Sequence, residues 1–264
     1  MNAGLIGGHI GLLENEVSLT WLGQAGFIIR DTQRRTIFID PYLTDCVERI
    51  WGFKRLMMPL IAPEEVDADF YVATHGHEDH FDIDAAPAIL NNAKTRLICS
   101  RSVAEKCEAM GVGAGRIYPL SEGEMVCLDG LTFQAVFADH GKLAPDAIGV
   151  WMDAGGVSIY FTGDTAYKPG EILESLGKRK VDILIAPING EFGNLNSYEA
   201  AMLARVLGSR VTVPCHFWTF AAHRGDPLSF MEYMKEIVPG SACKILCQGE
   251  SFVFNKKVAE QEKL

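Results

Sequence analysis

Three of the seven histidines fall within six consecutive residues, His75-Gly76-His77-Glu78-Asp79-His80, together with one aspartate. Imidazole and carboxylate are the common donors to zinc and similar divalent ions. In a tight loop alternate residues point the same way, so His75 and His77 converge on one position. Asp79 and His80 then reach a second position a few ångströms further on. A surface loop that happens to be rich in histidine would seldom show this spacing. Two half-filled sites still need donors from elsewhere, and His140, Asp164 and His216 are the candidates, each just past a predicted strand. His140 would join His75 and His77, His216 would join Asp79 and His80, and Asp164 could bridge both ions. Singly, Asp164 also reads as a hairpin or helix-cap residue and His216 as a satisfied core histidine; as a set at strand ends they are harder to dismiss. The donor set implies one or two divalent ions, with zinc or manganese expected and iron compatible, because His and Asp donors do not select among them.

The elements that must position these residues are legible around them. Asp69 to Thr74 is a short apolar, β-branched and aromatic run that reads as a buried strand, and Asp82 to Leu90 places capping residues before an apolar run. The histidine loop therefore leaves the C-terminal end of a strand, where open α/β sheets carry their chemistry. Upstream, Val17–Leu22 and Phe27–Arg30 flank the turn Gly23-Gln24-Ala25-Gly26, and Thr36–Ile39 ends in Asp40-Pro41, which predicts an antiparallel β layer. Asp40 is either a turn former or a carboxylate that orients a metal-binding histidine, and from the residues alone the turn reading prevails. Residues 42–66 mix Arg49, Lys54 and Arg55 with Trp51, Phe53, Met57 and Met58 without a clean period, which reads equally as a substrate wall or as a surface helix. Downstream the pattern predicts strands at 96–99, 117–118, 125–128, 131–137, 149–152, 157–161, 181–186, 210–214, 244–247 and 251–254. Helices are predicted at 102–110, 169–177, 197–207 and from Asp226-Pro227, followed by a polar tail. Gly7-Gly8-His9 does not form a phosphate-binding pattern, and His9 reads as a terminal surface residue.

Composition bounds the function. Hydrophobic residues at 48% and charged residues at 22% are ordinary for a globular chain, and 264 residues with no compositional break or short repeat predict a single domain over 1–264. A net charge of −10 disfavours a nucleic-acid or anionic-membrane binder. The seven cysteines are odd in number and scattered, with no CxxC pair, and so read as buried thiols in a reducing compartment. With neither a signal-peptide pattern nor an apolar run of membrane-spanning length, a cytoplasmic location is expected.

Taken together, His75-Gly76-His77-Glu78-Asp79-His80, Asp40, His140, Thr162-Gly163-Asp164-Thr165 and His216 resemble the ligand pattern of the metallo-β-lactamase superfamily, in order across residues 40–216. The resemblance implies an α/β (α+β) fold, the four-layer αββα sandwich, and makes Asp40 a brace for the metal-binding residues. Trp21-Leu22-Gly23-Gln24-Ala25-Gly26-Phe27, Pro187-Ile188-Asn189-Gly190-Glu191, Glu199-Ala200-Ala201 and Pro214-Cys215-His216 are similar to the ascorbate-6-phosphate lactonase-like branch, and related phospholipase D-like enzymes share the outline. In many relatives a histidine stands where this chain has Gln24.

The implied chemistry is hydrolysis by a metal-bound hydroxide, with Asp79 both a ligand and an orienter or proton acceptor for the water. His223 is the candidate acid for the leaving group, and Asn189, Glu191, His223 and Arg224 are the candidate substrate contacts; Lys142 and Lys168 could meet a phosphate. The expected substrate is a small polar molecule, a lactone of a sugar acid, phosphorylated or not. The alternatives are a phosphodiesterase of the phospholipase D-like or nucleotide type, and a non-catalytic metal-binding regulatory protein. A redox di-iron role is disfavoured because that branch resembles HxExD, whereas residue 77 is histidine. No nucleic-acid or membrane partner is expected; relatives often assemble, which leaves a homo-oligomer open.

Overall fold

The computed structural model describes residues 11–261, so Gly7-Gly8-His9 lies outside the described residues. The chain starts with the predicted hairpin, β1 (Glu16–Gly23) and β2 (Gly26–Asp31), continues through β3 (Thr36–Ile39) and the short helix α1 (Cys46–Trp51), and reaches β4 (Phe70–Ala73). Helix α2 (Ala86–Asn91), β5 (Arg96–Cys99), α3 (Arg101–Ala109) and β6 (Ile117–Pro119) complete the first half. The second half holds β7 (Met125–Leu128), β8 (Leu131–Phe137), β9 (Ile148–Ala154), β10 (Val157–Phe161), α4 (Pro169–Leu176), β11 (Ile183–Pro187), α5 (Ser197–Leu207), β12 (Val211–Cys215), α6 (Pro227–Ile237) and β13 (Ala242–Cys243). The chain then returns to the first sheet through β14 (Ser251–Asn255), ahead of α7 (Lys256–Gln261).

Two seven-stranded sheets result, ordered β14-β1-β2-β3-β4-β5-β6 and β13-β12-β11-β10-β9-β8-β7. Both are mixed. The first is antiparallel through β14, β1, β2 and β3 and parallel from β3 to β6, so the antiparallel expectation holds only for the opening hairpin and its neighbours. The period-two alternation of its strands divides their side chains between two cores. Val17, Leu19, Phe27, Ile29, Ile37, Ile39, Phe70 and Val72 face the second sheet. Ile28, Phe38, Tyr71 and Ala73 face outward and pack with Ile89 and Leu90 of α2 and Val103 and Cys107 of α3. Burial on both faces explains why these strands read as unbroken apolar runs. Phe27 meets Phe161 at 6.3 Å and Phe70 meets Phe133 at 5.4 Å between the sheets. On the far face of the second sheet, α4, α5 and α6 bury Ile172, Leu176, Leu203, Ala204, Phe230 and Met234. This is the αββα sandwich.

Local chemistry sets the helix ends. Asn196 accepts from Glu199 N at 3.0 Å while the Glu199 carboxylate accepts from Asn196 N at 3.1 Å, a capping box that starts α5. Asp226 caps α6 ahead of Pro227. One expectation fails near the C-terminus. Residues 244–247 are not a strand, because sheet pairing beside β12 ends at Cys243; the tail contains α7.

Asp182 clamps the end of the second sheet remote from the histidines. Its carboxylate accepts from Ser158 N at 3.0 Å and Ser158 Oγ at 2.9 Å, and pairs with Arg210 at 3.0 Å and Lys256 at 2.9 Å. Burial raises its pKa, but the Ser158 and Lys256 hydrogen bonds outweigh burial and hold it below the usual value. Asp182→Ala is expected to cost about 2–3 kcal/mol at neutral pH. Because the folded pKa is depressed, that stabilisation is fully present above the unfolded value of about 3.9 and disappears as pH falls through the lower folded value. Urea titrations of both proteins at neutral pH and in strong acid check this; a stability difference that grows on acidification would contradict it.

Candidate metal centre

The candidate residues gather at one edge of the sandwich because their strands run the same way there. β3 and β4 are parallel, as are β10, β11 and β12, and the antiparallel pairs β8–β9 and β9–β10 bring the end of β8 to the same side. Asp40, His75–His80, His140, Asp164 and His216 leave those ends, and Gln24 enters from the β1–β2 turn. Backbone bonds tie the two sheets at this edge: Ile148 N donates to Thr74 O at 3.1 Å and His216 N to Gln24 O at 2.9 Å. Gly163, at φ +60°, precedes Asp164 where a Cβ would lie 2.9 Å from Ile148 O, so only glycine permits this approach.

The side chains form three overlapping donor groups: His75 with His77 and His140; His75 with His80 and Asp164; Asp79 with His80 and His216, the donor atoms of each lying within 4.8 Å of one another. His80 Nε2 lies 3.1 Å from His216 Nε2, Asp164 Oδ1 lies 3.3 Å from each of those nitrogens, and Asp79 Oδ2 lies 3.7 Å and 3.5 Å from them. Tetrahedral ligands at ordinary zinc bond lengths stand about 3.4 Å apart. His75 Nε2 similarly faces His77 Nδ1 at 3.0 Å. Asp164 Oδ1 is buried without a hydrogen-bond donor of its own, which leaves a lone pair aimed at the gap between the histidines. The residues present therefore fit divalent ions.

Their surroundings set tautomers and charge. Asp40, fully buried at φ 42°, accepts from Thr74 N at 2.9 Å, Thr74 Oγ1 at 2.6 Å and His80 Nδ1 at 2.7 Å. The last contact directs the His80 Nε2 lone pair into the cluster. His77 Nε2 donates to Leu143 O at 3.1 Å and so presents Nδ1. Burial lowers the His80 and His216 pKa values, but Asp164 and Asp79 outweigh it, raising His80 well above the ordinary range and His216 to about 9. Conversely, burial raises Asp164 and Asp79, yet the facing histidines hold both well below it. The two carboxylates thus favour positive charge at this spot, which a divalent ion would supply with both rings neutral.

A cavity of about 230 Å³ opens over the cluster, lined by His77, Glu78, Asp79, His140, Asp164, His216 and His223 together with Val47, Trp51, Phe53, Leu143, Phe192 and Phe220. Residues 42–66 are thus both a short helix and a cavity wall. Arg55 Nε donates to Met57 O at 2.7 Å and Nη1 to Thr44 O at 2.7 Å, and Asp82 accepts from Leu43 N at 2.9 Å and Thr44 N at 2.7 Å, which stiffens the wall from below. Glu78 Oε2 accepts from Trp51 Nε1 at 2.8 Å, which ties the histidine loop to this wall.

His223 is buried against the cluster, its ring 4.5 Å from that of His216. Burial, then the adjacent His216, pushes it down to about 3, so its imidazole is neutral at ordinary pH. Asn189, Glu191 and Arg224 do not line the cavity. Asn189 is buried in a bridge to Asn196, and Glu191 and Arg224 pair with each other at 3.3 Å at the surface. Lys168 faces Asp139 at 4.0 Å, and Lys142 is exposed outside the cavity lining.

Asn194 escaped the sequence reading, and Gln24 entered it only as the position where many relatives carry a histidine. Gln24, at φ 51°, is pinned by Thr219 Oγ1 and Trp21 Nε1; its Nε2 donates to Asp79 Oδ2 at 2.6 Å and lies 3.1 Å from His216 Nε2. Asn194 Nδ2 donates to Asp164 Oδ2 at 2.8 Å. Neither belongs to a run with a chemical signature, although Gln24 between glycines marked a turn at a strand end.

A family model described as the β-lactamase superfamily domain matches residues 25–217. A UPF0173 metal-dependent hydrolase of Archaeoglobus fulgidus is 26% identical over 248 residues, covering 91% of this chain and 100% of the relative. Among solved structures, the metallo hydrolase Igni18 from Ignicoccus hospitalis superposes with a TM-score of 0.72 at 23% identity over 90% of this chain and 98% of its own. An isothiocyanate hydrolase from Delia radicum gut bacteria superposes with a TM-score of 0.73 at 20% identity over 90% of this chain and 99% of its own. At these identities the two structures speak for the fold.

Proposed function

The chain belongs to the β-lactamase superfamily domain family, and from that premise we propose that it is a metal-dependent hydrolase that opens an ester-like acyl bond, a lactone in the first instance. The observation carrying this reading is the spacing of His80, His216, Asp79 and Asp164 around the orphaned Asp164 Oδ1, at the floor of a cavity. His75, His77 and His140 would hold one divalent ion and Asp79, His80 and His216 a second, with the Asp164 carboxylate within reach of both groups. When bound, the ions supply a water of lowered pKa and an electrophile for the substrate's oxygen.

The protein's own groups do the rest. Asp40 and Leu143 O fix the ligand tautomers. Asp79, held by Gln24 Nε2 and kept ionised by the facing histidines, orients the attacking water. His223, over the cavity beside His216, gives the leaving oxygen a hydrogen bond; its neutral imidazole has no acidic proton to transfer, which corrects the expected role of leaving-group acid. Cys215 is buried in the core and takes no part as a nucleophile. No helix among the described residues is long and apolar enough to cross a membrane.

Elemental analysis is expected to find one to two divalent ions per chain, fewer in His77→Ala. Chelator-treated protein should lose lactone hydrolysis and regain it on adding zinc or manganese. Full activity after stripping would end the reading, and turnover of bis-aryl phosphodiesters with none of lactones would replace it with the phosphodiesterase.

A further inference from the structure

The rim of the cavity has an unusual chemistry. Trp51, Phe53, Leu143 and Phe192 keep 62%, 41%, 57% and 47% of their surface exposed, yet they come from three separate segments and meet over the same floor. Phe53 stands edge-on to Phe192 at 6.2 Å and tilts against Phe220 at 6.3 Å, while Glu78 fixes the Trp51 indole. Large apolar side chains left in water beside reactive groups mark a binding surface. No lysine or arginine lines the cavity among the described residues. Of the cations near the wall, Arg49 holds Asp84, Arg55 donates to the carbonyls of Tyr42, Thr44 and Met57, and Lys106 donates to Gly76 O, while Lys54 and Lys142 are exposed outside the cavity lining. Within the cavity, a phosphate distant from the reacting bond would meet Glu78 and aromatic rings rather than a counter-charge. The volume, about 230 Å³, suits a single aromatic ring with a short reacting group, since a cavity of roughly 150 Å³ holds benzene.

Resting on the hydrolase reading, we propose that the substrate is a neutral acyl compound carrying an aromatic or compact apolar group, which Trp51, Phe53, Leu143, Phe192 and Phe220 grip. This departs from the small polar sugar-acid lactone, phosphorylated or not, that the resemblance implies. In a lactone the water oxygen bonds to the acyl carbon, the acyl–oxygen ring bond breaks, one proton passes to the ring oxygen and the other leaves from the new carboxylic acid.

Three δ-lactones separate the possibilities on the metal-loaded full chain: dihydrocoumarin, δ-valerolactone and 6-phosphogluconolactone. Dihydrocoumarin is expected to give a kcat/KM at least tenfold above the phosphorylated sugar lactone. Phe53→Ala and Phe192→Ala should each lower it about tenfold, mainly through KM, and lower δ-valerolactone much less. A preference for 6-phosphogluconolactone, or equal losses on both neutral lactones, overturns the proposal while leaving the hydrolase reading standing. If no lactone reacts, that reading fails, and binding still tests the rim. Benzyl alcohol should alter tryptophan fluorescence saturably in the wild type and not in Trp51→Phe, and glucose should not compete. Glucose binding more tightly than benzyl alcohol overturns the proposal.

Discussion

Asp164→Ala is expected to lose bound metal and to lower hydrolysis by at least about 10³-fold, several kilocalories per mole of transition-state stabilisation. The size follows from position. Oδ1 lies 3.3 Å from both His80 Nε2 and His216 Nε2, while Oδ2 lies 3.7 Å from His140 Nε2 and accepts from Asn194. One carboxylate thus touches both donor groups, and alanine removes a ligand from each. Metal binding also stabilises the native state, by about 2.7 kcal/mol when free metal is a hundredfold above Kd, or about 5–10 °C in unfolding midpoint for a chain this long. Chelation should therefore lower the wild-type midpoint by that much and leave Asp164→Ala nearly unmoved. Elemental analysis with thermal melts, with and without chelator, reads both effects. A variant that retains its full metal complement would refute the bridging role.

Asp40→Asn is expected to weaken metal binding by roughly 10–100-fold with a stability loss of about 1–3 kcal/mol. Asparagine preserves volume and tolerates the left-handed backbone at φ 42°, so the effect isolates hydrogen bonding. The carboxylate accepts from Thr74 N, Thr74 Oγ1 and His80 Nδ1. If the amide nitrogen faces Thr74 N, two donors confront each other in a fully buried site. If it faces His80 Nδ1, that atom must accept, the ring proton moves to Nε2, and the lone pair leaves the cluster. Competition with a colorimetric chelator measures the affinity, and denaturant titration of metal-free protein measures the stability. Unchanged affinity would mean that Asp40 does not set the His80 tautomer.

Much of this fold is readable because its signals are local. β-Branched and aromatic runs mark β4, β10 and β12, the Asn196–Glu199 capping pair marks α5, and Asp226-Pro227 marks α6. The donors of the candidate centre are readable for the same reason: each is a histidine or aspartate directly after such a run. Residues 244–247 misled because a short apolar run is strand only if an edge accepts it, and the pairing beside β12 stops at Cys243. Asn189, Glu191 and Arg224 misled because being past a strand end says which edge a residue reaches, not whether it lines the cavity; the neighbouring Phe192 does.

By itself, the sequence determined which atoms can bind metal and that they follow strands, since residue type and a two-residue period are properties of short segments. The tertiary structure alone decided what surrounds them. Gln24 reaches Asp79 and His223 across 55 and 199 positions of chain, and Trp51, Leu143 and Phe192 become one wall only after both sheets have paired. Those contacts depend on strand order and register, which are settled by burying whole faces of both sheets at once. Ligand chemistry was therefore legible residue by residue, whereas the apolar character of the cavity emerged only when distant segments were packed together.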